Sequence, residues 1–170
     1  VFDPDKLSWL NEHYIKTTPP EDLARHLEPF LIRSGILEEG HGLDFAEISK
    51  VIPSLNQRAK TLVEMAEKSA FYFKKGVEFD DKAKTKFLTD EARPLLEKAI
   101  AGLSQLENFS SEEIELLFKK IMEEEGIKLG KLAQPVRVAL TGTTVSPGIY
   151  DVILLLGKDE TLARLKQALP

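Results

Sequence analysis

The stretch that decides the fold is Pro94-Leu95-Leu96-Glu97-Lys98-Ala99-Ile100-Ala101-Gly102-Leu103-Ser104-Gln105-Leu106, followed after a short break by Ser110-Ser111-Glu112-Glu113-Ile114-Glu115-Leu116-Leu117-Phe118-Lys119-Lys120-Ile121. In the first run Leu95, Leu96, Ala99, Ile100, Leu103 and Leu106 recur at the three- and four-residue spacing of one helix face. Pro94 comes early enough to lie in the first turn, where a missing N–H costs nothing. In the second run Ser110 and Glu113 have capping-box spacing, Ile114, Leu117, Phe118 and Ile121 form the apolar face, and Gly126 ends it.

The same signals continue in both directions. Towards the start, Asp3 and Pro4 make a cap and a first-turn proline ahead of Leu7, Leu10 and Tyr14. Thr18 and Glu21 have capping-box spacing around two prolines, followed by Leu23, Leu27, Phe30 and Leu31 up to Gly35; Asp44 and Glu47 repeat the box ahead of Ile48, Val51, Ile52 and Leu55. Leu62, Met65, Ala66 and residues 71–73 continue at helical intervals. Residues 74–86 are dominated by charge around Gly76, which predicts a linker and a subdomain boundary. Towards the end, three short helices are expected, at 131–141 closed by Gly142, 146–156 closed by Gly157, and 159–169. The predicted fold is all-α, with two small helical subdomains spanning residues 1–76 and 77–170. No internal repeat supports a solenoid.

Composition narrows the function. There are no cysteines among the 170 residues, so disulfides and thiolate zinc sites are excluded and a cytoplasmic home is expected. The apolar run at 152–156 is far shorter than the roughly 20 residues that cross a bilayer. The sequence opens on Val1 rather than Met, which suggests a piece cut from a longer polypeptide or a processed product. A net charge of −5 opposes nucleic-acid binding, because attraction to phosphate needs cations. The charge is uneven, however: residues 1–127 hold 17 Lys and Arg against 25 Asp and Glu, whereas residues 128–170 hold 6 against 3.

A search for catalysis yields nothing. His13, His26 and His41 lack a partner at metal-ligand spacing, no glycine-rich phosphate loop is present, and clusters such as Glu123 to Glu125 read as solvated faces. No metal and no catalytic residue is expected. Residues 126–156 differ, because short helices broken by Gly, Pro, Ser and Thr bring several helix ends together. Their N–H groups, with Lys131 and Arg137 nearby, suit phosphates or base edges. Ser146-Pro147-Gly148 is equally an ordinary helix start.

The run Gly130-Lys131-Leu132-Ala133-Gln134-Pro135-Val136-Arg137-Val138-Ala139-Leu140-Thr141-Gly142, continued by Ser146-Pro147-Gly148-Ile149 and Leu155-Leu156-Gly157-Lys158, resembles the segment near the end of bacterial glutamyl-tRNA synthetases. Lys6-Leu7-Ser8-Trp9-Leu10-Asn11, Lys60-Thr61-Leu62 and Tyr72-Phe73 match the same family in the expected order. The resemblance implies two helical subdomains that grip the anticodon stem and loop of glutamate tRNA, as a monomer with no cofactor of its own. The family's ATP and glutamate sites belong to an upstream catalytic domain; neither His-Ile-Gly-His nor Lys-Met-Ser-Lys-Ser occurs here, so tRNA binding without charging is expected. Residue by residue, Arg58 matches an arginine that checks the third anticodon base, and Arg137 matches one beside the anticodon loop. Ser146, Pro147, Gly148 and Ile149 match the loop and helix start that meet the first two bases. An unstacked base is expected to lie against Pro147 and Ile149. Lys131 and Gln134 are further candidates, while Pro135 and Val136 are expected to shape or pack the helix. The competing reading is a helical protein-interaction scaffold, prompted by the acidic body and the amphipathic helices.

Overall fold

The computed structural model describes residues 3–170, which leaves Val1 and Phe2 outside the described residues. The chain is all helical and divides into two compact units, Val1–Lys74 and Lys75–Pro170.

The first unit contains α1 (Pro4–Thr17), α2 (Pro20–Arg33), α3 (Phe45–Ser49), α4 (Ile52–Leu55) and α5 (Leu62–Phe73). Helix α2 is its hub, packing on α3, α4 and α5. Leu23, Ala24, Leu27 and Leu31 supply the buried stripe of α2 and meet a core that includes Ile48, Val51, Ile52, Leu55, Met65 and Ala66. The Asp3 carboxylate accepts from the N–H groups of Asp5 and Lys6, and Asp44 from that of Glu47, as the cap signals predict. The Thr18–Glu21 box does not form. Thr18 instead closes α1, its N–H donating to Tyr14 O, and α2 starts from Pro19 with no side-chain cap. Pro20 has no N–H to offer a cap, and its fixed φ suits the first helical position that it takes instead.

The second unit contains α6 (Asp81–Phe87), α7 (Arg93–Gln105), α8 (Ser111–Glu125), α9 (Leu129–Thr141) and α10 (Ile149–Gln167). The two runs that decide the fold are α7, with Pro94 in its first turn, and α8, capped as expected by Ser110 Oγ accepting from Glu113 N–H at 3.3 Å. Helix α10 packs on α7, α8 and α9. It is broken at Gly157 (φ 75°, ψ 169°), where the two expected short helices meet. The charged stretch 74–86 is not simply a linker. Asp80 caps α6 by accepting from Ala83 N–H at 2.8 Å, and α6 packs on α9. Its charges solvate the outer side of a short helix whose buried residue is Ala83.

Candidate nucleic-acid interface

Helix α9 carries most of the candidate residues. Leu132, Ala133, Pro135, Val136, Val138, Ala139 and Leu140 are buried, so the helix is wrapped by its neighbours almost all round. The positions left in contact with solvent beyond its first residues are Lys131, Gln134, Arg137 and Thr141. Steps of three and four residues place them in one line along the helix. Pro135 stands inside the helix and is buried. It cannot donate to the carbonyl of Lys131, so the first turn of α9 is loosened on the line where Lys131 lies.

The loop after α9 is built from hydroxyl bonds. Thr141 Oγ1 donates to Arg137 O at 2.8 Å, Thr143 Oγ1 donates to Val145 O at 2.8 Å, and Ser146 Oγ donates to Pro147 O at 2.8 Å. Arg137 Nε donates to Ser146 Oγ at 2.9 Å, which joins the open line of α9 to the loop. Val145, a position the sequence did not single out, is 78% exposed. An apolar side chain presented beside a guanidinium on a hydroxyl-braced loop suits the face of an unstacked base. Its signal in the sequence was only a β-branched residue within a polar turn.

Pro147 and Ile149 lie elsewhere than expected. Both are buried, Ile149 to 4% exposure, so neither offers a face for a base to lie against; they anchor the start of α10. Gly148 caps α10, and a side chain there would stand 2.9 Å from the Asp151 carboxylate. That carboxylate in the first turn makes the helix end a poor seat for a phosphate. Base edges that donate remain compatible with it. Tyr150, next in the chain, packs edge-on against Phe118 with ring centroids 5.4 Å apart. Burial, and secondarily the Glu115 carboxylate, push its phenol above the ordinary tyrosine range, so it stays a neutral hydrogen-bonding group at pH 7. Gln134 presents a different feature. Its Oε1 is buried and has no hydrogen-bond partner among the described residues, an acceptor whose desolvation costs about 1–3 kcal/mol until a donor arrives.

Arg58 belongs to the first unit. It is exposed on the turn after α4, where its N–H donates to Leu55 O at 2.8 Å and its carbonyl accepts from Lys68 Nζ. The following Ala59 is buried, and Thr61 caps α5 by accepting from Glu64 N–H at 3.1 Å while Glu64 Oε2 accepts from Lys60 N–H at 3.0 Å. The Lys60-Thr61-Leu62 run is thus a capping device that holds the Arg58 turn in place.

The locally basic tail contributes less than its charge count suggests. Lys158 Nζ donates to Leu106 O at 2.7 Å, and Arg164, 3% exposed, donates to Leu140 O at 2.8 Å. Both cations serve helix ends. His13 stacks on Trp9 and His41 Nε2 lies 3.2 Å from Glu28 Oε1. Among the described residues no group of three or more His, Cys, Asp or Glu could hold a metal ion, and no helix is long and apolar enough to cross a membrane.

Known proteins resemble this chain along nearly its whole length. A family model described as an anticodon binding domain matches residues 22–169. The glutamate–tRNA ligases of Thermodesulfovibrio yellowstonii and Geotalea uraniireducens are 46% and 47% identical over 169 residues, 99% of this chain but only 36% and 35% of those proteins. The chain therefore spans about a third of the length of these relatives. Among solved structures, a glutamate tRNA ligase from Elizabethkingia meningosepticum superposes with a TM-score of 0.83 at 24% identity, over 98% of this chain and 32% of that one. With a match that runs through both helical units and includes the whole of α9, its loop and the Arg58 turn, the chain belongs to the anticodon-binding domain family.

Proposed function

We propose that this chain reads the anticodon stem and loop of glutamate tRNA, as the recognition part of a glutamate–tRNA ligase whose ATP and glutamate sites lie outside it. The observation that carries this reading is the line Lys131, Gln134 and Arg137 on an otherwise buried helix, tied to its loop by the bond from Arg137 Nε to Ser146 Oγ at 2.9 Å. Arg58 supplies the choice of third base. Glutamate anticodons end in C and glutamine anticodons in G. A guanidinium only donates, so it suits the O2 and N3 acceptors of cytosine and meets the N1–H and N2–H₂ donors of guanine head-on. Arg137 and the 143–148 loop take the other two bases, with Val145 replacing Pro147 and Ile149 as the apolar surface. In this role the chain works in the cytoplasm as a monomer, needs no cofactor, and contributes no group to aminoacyl transfer.

Fluorescence titration with glutamate tRNA, and with a variant whose third anticodon base is G, tests this. The expected result is salt-sensitive binding that favours C. Equal, salt-insensitive binding to both would sink the proposal. A second reading, a helical protein-interaction scaffold, draws on the exposed Leu7, Trp9, Leu10 and Tyr14 of α1, with Trp9 64% exposed. It predicts a protein complex that survives nuclease treatment and an α1 surface whose polar substitution abolishes it.

A further inference from the structure

The last turn of α9 leaves carbonyls with no partner inside the helix. One of them, Leu140 O, accepts from Arg164 Nη1 at 2.8 Å, while Arg164 Nε donates to Glu160 Oε1 at 2.6 Å. At 3% exposure this guanidinium is out of reach of any external ligand. A buried cation persists only where its geometry is well satisfied, and the planar fork of arginine holds two separated acceptors in a fixed geometry, where an ammonium is a compact point charge. The same end of α9 is held a second way. Gly142 (φ 77°) accepts at its carbonyl from Asp80 N–H at 2.9 Å, and a Cβ on it would stand 1.9 Å from Glu78 O. Immediately beyond these two anchors comes the loop 143–148, with Val145 and with Ser146 bonded to Arg137.

We propose that Arg164 is a positioning residue for RNA reading: by bonding Leu140 O it locks the last turn of α9 to the second half of α10 and presets the loop 143–148. This rests on the RNA reading of α9 and its loop. A loop already held in its working shape loses little freedom when a base arrives, so the anchor acts through affinity without touching the ligand. The Gly157 break is part of the device, because it ends the first half of α10 and lets the second half start a new direction with Lys158 on Leu106 O and Arg164 on Leu140 O.

The test compares the 170-residue chain with Arg164→Met, Arg164→Lys and Glu160→Gln, using Leu103→Ala, a cavity in the core of the same unit, as the control for lost stability. Two readouts are taken well below the melting temperature: amide hydrogen exchange at residues 141–148, and affinity for an RNA hairpin carrying the glutamate anticodon. Arg164→Met is expected to speed exchange in that loop and weaken hairpin binding by about tenfold, leaving amides of α7 and α8 protected. Arg164→Lys should recover part of both effects, and Leu103→Ala should lower the melting temperature while leaving loop exchange and affinity as they were. Should Arg164→Met fail to fold, Glu160→Gln decides, with the same pattern expected in weaker form. Wild-type loop exchange and affinity in the folded Arg164 or Glu160 variant, or a Leu103→Ala pattern matching Arg164→Met, would overturn the inference. A wild-type chain that binds no hairpin overturns the RNA reading itself and the positioning role with it.

Discussion

The Arg137 guanidinium is held rather than free to sweep. Its Nε is bonded to Ser146 Oγ, so the plane of the group is fixed relative to the loop that carries Val145. Reversing the charge with Arg137→Glu is expected to weaken binding of glutamate tRNA by tenfold or more, roughly the worth of one charge-assisted hydrogen bond; fluorescence anisotropy measures it. Ser146→Ala, which removes only the brace, should cost less. Arg58→Gln belongs to a different effect, since an amide both donates and accepts. It should lower affinity for the C-ending anticodon only modestly, while the preference over G, about 1–3 kcal/mol, shrinks towards zero. Gly142 is a residue whose role is sterically decided. At φ 77° and with Glu78 O where a Cβ would go, Gly142→Ala should lose at least about 2 kcal/mol in chemical denaturation. Of the candidate residues, Arg58, Lys131, Gln134, Arg137, Ser146 and Gly148 offer surface or backbone to a partner. Pro147 and Ile149 are buried, which the sequence did not reveal because a proline and an isoleucine at a helix start look the same whether they face water or core.

At the scale of elements, α9 is the informative case. Its polar side chains Lys131, Gln134, Arg137 and Thr141 recur at steps of three and four, so one polar line on a mostly apolar helix is already written in the sequence. The packing of α6, α7, α8 and α10 buries the apolar remainder of the helix and leaves Lys131, Gln134 and Arg137 open. Phe118 couples this arrangement to α8. It is fully buried and touches Tyr150 in the first turn of α10. Phe118→Ala is expected to destabilise the second unit by about 3–5 kcal/mol, seen as a lower denaturation midpoint. The start of α10 should loosen with it, read as faster exchange of the amides that follow Tyr150. Caps were the most legible elements, as Asp3, Asp44 and Ser110 illustrate, because a cap needs only neighbours three residues away. Helix α6 was missed for the opposite reason: among its seven residues only Ala83 is buried, too short a pattern to register against the surrounding charge.

At the scale of the whole molecule, the net charge of −5 sets how RNA can be bound. With Lys158 and Arg164 turned to helix ends, the cations proposed to face RNA are Arg58, Lys131 and Arg137. Three phosphate-scale contacts on single-stranded RNA give a slope of about −2 for log K against log salt. A titration series across salt concentrations checks this, and a much steeper slope would mean that further cations take part. The sequence by itself determined the helical class, most of the caps and glycine stops, the family, and which residues of α9 and its loop to inspect. All of these are properties of neighbouring residues or of a run read in order. Tertiary structure alone decided that the rest of α9 is wrapped almost all round, that Pro147 and Ile149 are buried while Val145 is exposed, and that two cations of the basic tail close helix ends. Burial is settled by contacts between segments far apart in the chain, as between Arg164 and Leu140 or Asp80 and Gly142, and no local pattern contains that information.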